Sequence, residues 1–175
     1  MNTLEFSKIV ERKIGEMNDL VHRKMPVFAG RMAKSHFQDN FRKGGFVNNG
    51  VHPWKKSKRE SGTGTKTLYK TLLSSRNHLF SSIQYIPGDA QVIIENRVPY
   101  AYMHNEGEIQ YVAPHKRNRL AAMSIQGRKE IKVGGGNVRG FTRKIPRRQF
   151  IGESAELTKK IEDKMDAEVL KIIKS

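Results

Sequence analysis

The side chains of this sequence best suited to acid–base or metal chemistry are its six histidines, His22, His36, His52, His78, His104 and His115. Two imidazoles reach one metal ion when they share a helix or strand face, as in His-x-x-x-His or His-x-His. No pair here has either spacing. His104 is followed by Asn105 and Glu106, a grouping that would suit proton transfer if a second group and a pocket came with it. The local sequence supplies neither, so the expected role of His104 is structural or hydrogen-bonding. Ser61-Gly62-Thr63-Gly64 and Gly134-Gly135-Gly136 have the composition of phosphate loops. They lack the Gly-x-x-x-x-Gly-Lys-Ser/Thr spacing that sets amides round a phosphate and a lysine on its outer oxygens. There is no cysteine, which removes thiolate catalysis, thiolate metal sites and disulfides. The reading is a chain with no catalytic, cofactor-binding or metal-ligating residues, and no enzyme.

Charge carries more information. The formal net charge is +16. Residues 42–76 hold nine Lys/Arg against one acid, Glu60, and residues 113–148 hold eleven against one, Glu130. The remainder is close to neutral. Charge blocks of this kind are interaction or solvated loops more often than folded faces. The candidate residues for contact with an oligomer neighbour, another protein or DNA are Lys116, Arg117, Arg119, Arg128, Lys129, Lys132, Arg139, Arg143 and Lys144. Aromatic interleaving is thin, with Trp54 and Tyr69 in the first block and Phe141 in the second, so stacking on bases is weakly supported. No zinc-finger, RNA-binding or helix-turn-helix signature is present. Contact with DNA would therefore be to backbone phosphate and blind to sequence.

The elements that must position these groups can be read from periodicity. From Leu4 to Met25 apolar residues recur at three-and-four spacing, as in an amphipathic helix of about six turns. Pro26 interrupts the pattern, which resumes to Phe41 and ends at Gly44-Gly45; one kinked helix or two consecutive helices would fit. Residues 46–67 read as a loop anchored by Trp54, and Leu68–Phe80 as a short helix. Leu79–Ile86 and Gln91–Asn96 read as a hairpin about Pro87-Gly88-Asp89-Ala90, with a third strand at Val98–His104. Residues 108–145 are polar and basic, either a long hairpin or a loose arm. Glu153 or Ser154 caps a last helix with Leu157, Ile161, Met165, Val169 and Ile172 on one stripe. The fold class is α+β: N-terminal helices, a small antiparallel sheet, a long basic excursion and a C-terminal helix. One domain over residues 1–175 is expected, with 108–145 as an extension within it. Phe6, Ile14, Met17, Leu20, Phe37, Ile83, Val92, Ile94, Tyr100, Phe150, Leu157, Ile161 and Met165 are its expected core. The apolar runs fall well short of the roughly 18 residues of a membrane span, and the N-terminus lacks a signal-peptide layout. A soluble protein made in the cytoplasm is expected.

Two clusters carry a resemblance. Val98-Pro99-Tyr100-Ala101-Tyr102-Met103-His104-Asn105-Glu106-Gly107 is similar to the Pro-x-Tyr-Ala-x-x-His-x-x-Gly signature of the phage virion morphogenesis and tail-completion family. Ile145-Pro146-Arg147-Arg148-Gln149-Phe150-Ile151-Gly152 resembles that family's Ile-Pro-x-Arg-x-Phe-Leu-Gly segment before a terminal helix. Phe41, Trp54-Lys55-Lys56-Ser57, Thr71-Leu72 and Leu79-x-x-Ser82-Ile83 follow in the family's order, with Arg76-Asn77-His78 where the pattern often has Thr-Gly. The resemblance implies structural roles for Trp54, Tyr100, His104, Gly107, Pro146, Arg148, Phe150 and Gly152. It implies a non-enzymatic subunit, without cofactor, that forms a ring, six copies in this family, and completes the head-proximal end of a tail. The implied partners are further copies of the chain, tail tube or sheath protein, head–tail connector proteins and passing genomic DNA, with no membrane. The implied place is the virion neck, after assembly in the host cytoplasm. A head–tail connector, as stopper or adaptor, is the alternative, and a sequence-independent DNA-binding protein a more distant one.

Overall fold

The structure, a computed structural model, describes residues 3–60, 69–117, 121–122, 131–132 and 136–175. The N-terminal pattern folds as one helical rod. It comprises α1 (Thr3–Asp19), a π-turn (Leu20–Lys24) and α2 (Met25–Lys43). The cause is Pro26, which has no N–H to give the carbonyl of His22, four residues back. That carbonyl instead accepts the Ala90 N–H at 3.3 Å, and His22 Nδ1 lies 2.6 Å from Asp89 Oδ1. The proline thus fixes where the rod docks on the hairpin turn that carries Asp89 and Ala90. Gly44 ends α2 in the left-handed conformation, φ 71°, with its N–H on Asn40 O.

A tight hairpin of β1 (Gly45–Val47) and β2 (Val51–Pro53) follows, where a loop was expected. Residues 61–68, with Leu68 and the Ser61–Gly64 motif, lie outside the described residues, as do Gly134 and Gly135. Among the described residues of the stretch expected to be a helix before the first long strand, only those of α3 (His78–Ser81) are helical. Asn77 precedes it at φ 48°, with Ser74 N–H donating to Asn77 Oδ1 at 3.1 Å and Asn77 N–H to Ser74 Oγ at 3.2 Å. Asparagine tolerates this left-handed conformation better than most residues, so the turn closes without a glycine. The strands β3 (Ile83–Pro87) and β4 (Val92–Asn96) pair as expected. They pack on α2, where Gly30 lets Tyr85 approach; a Cβ there would lie 2.3 Å from the ring. The third expected strand is instead a helix, α4 (Ala101–Glu106), because Ala101 rather than an alternating face is what reaches the core.

The described residues of the basic excursion pair as a two-stranded ribbon. The strand β5 (Glu108–Val112) pairs with β10 (Phe141–Ile145), β6 (His115–Arg117) with β9 (Gly136–Val138), and β7 (Ala121–Ala122) with β8 (Ile131–Lys132). All three pairings share one antiparallel register: Val112 faces Phe141, His115 faces Val138 and Ala121 faces Lys132. Among the described residues the strands form five separate two-stranded ladders, not one small sheet.

The last element, α5 (Ala155–Lys174), runs back along the rod. Ser154 Oγ accepts the Leu157 N–H at its start. Lys164 Nζ sits 4.7 Å from the Phe28 ring centre, and Lys13 Nζ reaches Ser175 Oγ (2.7 Å) and the Ile172 carbonyl at the end. The core gathers Phe37, Phe41, Phe46, Trp54, Leu79, Ile83, Phe150 and Leu157. Leu20, Phe37, Ile83, Phe150 and Leu157 are buried as expected, whereas Met17, Val92, Ile94, Ile161 and Met165 are half-buried. Phe6 and Ile14, each 55% exposed, and Tyr100 correct the expected core. The helix α1 buries no residue at all. Its apolar stripe is real, but the described residues do not cover it.

The α5 N-terminus makes a pH test. Glu156 accepts the Gly50 N–H at 2.8 Å and the Asn49 N–H at 3.0 Å. These amides, Gly50 first, hold its carboxyl at about 2 against an ordinary value of 4.5. A depressed carboxylate stabilises the fold above its unfolded pKa and loses that contribution as pH falls through the folded one. Glu156→Gln should melt below the parent at pH 7, and the gap should close between about pH 4.5 and 2; thermal melts across pH check this.

Candidate functional site

The two motif segments meet at the base of the ribbon. Residues 146–151 belong to no ladder, so their backbone groups need other acceptors and donors. The Arg148 N–H donates to His104 O at 2.8 Å. Asn105 Oδ1 accepts both the Phe150 N–H (2.9 Å) and the Ile151 N–H (3.0 Å). Trp54 Nε1 donates to Gln149 O at 2.8 Å, and Asn40 Nδ2, fully buried, donates to Phe150 O at 3.2 Å. Gly107, at φ 78°, is the other contact: a Cβ there would lie 2.7 Å from the Arg147 nitrogen. Pro146 follows β10, Gly152 sits in the bend before α5, and Phe150 packs 5.1 Å from Phe41, ring to ring, rather than on a sheet. Asn40 and Asn105 were not singled out from sequence as clamps, because Asn40 lies 110 residues and Asn105 lies 45 residues from the Phe150 groups they hold.

Behind this junction lies an open cavity of about 330 Å³, lined by Ser57, Arg59, Thr71, Leu72, Tyr100, His104 and Arg148 among others. The Tyr100 and His104 rings stand edge to face at 6.0 Å. Burial, then the charges of Arg148 and Arg143, push His104 below the usual histidine range, so its imidazole is neutral at neutral pH. Arg148 is buried and donates from Nε to Lys55 O at 2.9 Å. Arg59 donates to the carbonyls of Lys70 (3.1 Å) and Leu73 (2.6 Å).

The basic candidates fall elsewhere, along the ribbon. Lys116, Arg139, Arg143 and Lys144 are exposed, and Arg143 Nε donates to Gln110 Oε1 across the ladder at 2.7 Å. Arg117 and Lys132 are located by backbone pairing alone, and Arg119, Arg128 and Lys129 lie outside the described residues. Sequence reasoning named Phe141 but missed the other apolar groups beside these charges. Ile109 and Tyr111 on β5 and Phe141 on β10 are exposed, as is Tyr102 on α4. On α5, Glu162, Asp163 and Asp166 line an open depression with Glu153, four carboxylates against the one cation Lys159. Among the described residues no His/Cys/Asp/Glu group could hold a metal, and no helix is long and apolar enough to cross a membrane.

The amide clamp is testable. Asn105→Ala would leave two N–H groups of residues 150–151 without an acceptor, at about 1–3 kcal/mol each. Denaturant unfolding should show a loss of at least about 2 kcal/mol, and Asn105→Asp, which keeps the acceptor, should lose less.

No curated protein and no solved structure matches the chain. The family model of the phage virion morphogenesis family matches residues 7–170, a span that contains the rod from within α1 onward, both motif segments, the ribbon between them and most of α5. The chain belongs to the phage virion morphogenesis family, and its role is structural, in the assembly of phage particles.

Proposed function

We propose that this chain is a ring-forming subunit that completes the head-proximal end of a phage tail and prepares it for joining to the head. The observation that carries the reading is the uncovered apolar face of α1. Phe6, Ile9, Val10 and Ile14 are between 39% and 55% exposed. Lys13 already meets the last turn of α5, so the turns of α1 before it extend past the end of that helix. Contiguous apolar surface of this kind marks a protein contact, and in a closed ring every copy offers the same face to a neighbour.

The ribbon supports the same reading. A two-stranded hairpin is marginal in water by itself, and this one reaches beyond the core with net positive charge and exposed Ile109, Tyr111 and Phe141. Packing on the next subunit would cover the aromatic and aliphatic groups. The acidic depression on α5 offers opposite charge to the ribbon of a neighbouring copy, as a head-to-tail contact requires. Tail tube protein and connector proteins are the other partners in this reading, and six copies is the ring size the family resemblance favours. Lysines and arginines left facing the channel would meet passing DNA through phosphate, without sequence choice.

Phe6→Asp with Val10→Asp should leave the core intact, since neither side chain is buried. The double variant should stay monomeric by mass photometry at concentrations where the parent forms rings; an unchanged ring would overturn the reading. Residues 116–137 can be replaced by Asn-Gly, which closes the ladder between His115 and Val138 in register. This shortened chain should keep its thermal midpoint within a few degrees and fail to join heads to tails in complementation.

A further inference from the structure

The ribbon and the last helix each carry charge that their own chain leaves unpaired. On α5, Glu162, Asp163 and Asp166 wall the open depression. On the ribbon, Lys116 and Arg139 line one hollow at the break between the β5–β10 and β6–β9 ladders. Among the described residues, none of these three carboxylates and neither of these two cations has an ion-pair or hydrogen-bond partner. Each charge cluster adjoins exposed apolar surface. Asp166, Leu170 and Ile173 follow at intervals of four and three, so they share a helix face, and Leu170 and Ile173 are 51% and 64% exposed. The ladders on either side of the ribbon break keep one register, so the alternation of faces carries across it. Phe141, 46% exposed, therefore shares a face with Arg139 and with Lys116, which stands opposite Asn137. The intervals also match. From Phe141, Arg139 is about 7 Å along the ribbon and the Lys116–Asn137 pair about 13 Å, at roughly 3.3 Å per residue. From Leu170, Asp166 is about 6 Å along the helix and Glu162 about 12 Å, at roughly 1.5 Å per residue.

We propose that the ribbon of one copy lies along α5 of the next, with Phe141 on Leu170 and Ile173, Arg139 beside Asp166, and Lys116 beside Glu162 and Asp163. The inference rests on the ring reading above and adds the direction of its contact. The base of the ribbon meets the C-terminal end of α5, and the ribbon runs from there towards the N-terminal end. Laid the other way, the cations would fall on Leu170 and Ile173 while Phe141 desolvated the carboxylates, so the reverse docking is penalised twice. The two surfaces differ, which makes the contact head-to-tail and lets it repeat from copy to copy. Duplex DNA would pair with Lys116 and Arg139 but would leave Phe141 and the carboxylates of α5 uncovered. A second copy answers all of them at once.

The test is charge reversal followed by rescue, on the full-length chain. Lys116→Glu with Arg139→Glu reverses the ribbon, and Glu162→Lys with Asp166→Lys reverses the helix. All four side chains are exposed, so each double variant should keep the thermal midpoint of the parent. By mass photometry each alone should need at least about tenfold more protein to assemble, since like charge then faces like charge. An equimolar mixture of the two should assemble again with alternating copies, because every ribbon then meets a helix of opposite sign. Misfolded variants do not recover in this way. The chain has no cysteine, so Phe141→Cys in one copy and Leu170→Cys in another should join by a disulfide when mixed under mild oxidation. Either reversal assembling like the parent, a mixture that stays apart, or no disulfide between copies overturns the contact. So does a reversed ribbon that loses binding to duplex DNA while assembling normally, which would assign its cations to phosphate. Rescued and cross-linked chains that never close keep this contact and overturn the ring. Closed rings indifferent to both reversals keep the ring and overturn the contact.

Discussion

The fold depends on how one strandless segment satisfies its backbone. Residues 146–151 run along the core without a ladder, with Arg148 and Phe150 buried, and an unpaired buried backbone group costs as much as a lost hydrogen bond. The chain answers with side chains from three distant places. Asn40 comes from α2, Trp54 from the end of the first hairpin, and Asn105 from α4. Each group that closes a hydrogen bond also fixes an element. Phe150 is thereby set against Phe41, and Ser154 is left where it can cap α5. Asn40 does this twice over, since its Oδ1 also accepts the Val47 N–H at 3.2 Å.

This explains why the two motif segments are spaced so far apart in sequence. They are the two feet of the ribbon. The strands β5 and β10 begin and end where Gly107 and Pro146 lie, and the Gly107 contact with Arg147 brings the backbones too close for any side chain between them. The ribbon's length is thus decoupled from its attachment. Whatever the intervening residues do, their two ends leave the core from one braced point.

Much of the architecture was legible because it follows local rules. The Gly44 stop, the Ser154 cap and the β3–β4 hairpin each rest on a few neighbouring residues. Failures came where a distant contact decides. Residues 98–104 alternate well enough for a strand, yet Ala101 and the carbonyls of Tyr100 and His104 serve a helix whose C-terminal end braces residue 148. Phe6 and Ile14 have helical spacing, which shows that α1 has an apolar face but not whether the same chain covers it. For the candidate site, the motif residues were legible as a pattern only. Ser57, Arg59 and the two asparagines came into view once their backbone neighbours were known, because no short spacing joins residue 57 to residue 104 or residue 40 to residue 150.

The π-turn at Leu20–Lys24 has one further consequence. A π-turn amounts to a single residue inserted into an α-helix, and one residue turns a helix by about 100°. Everything upstream is therefore rotated by that angle relative to α2, whose own orientation is locked by the core. The heading of the apolar face on α1 is set by this one extra residue, as a keyway sets the angle of a shaft. Removing a residue between 20 and 24 would leave every core contact of α2 in place and swing that face about a quarter-turn. Among relatives, a gain or loss of one residue at this point would re-aim the outer half of the rod without altering the chemistry of its surface.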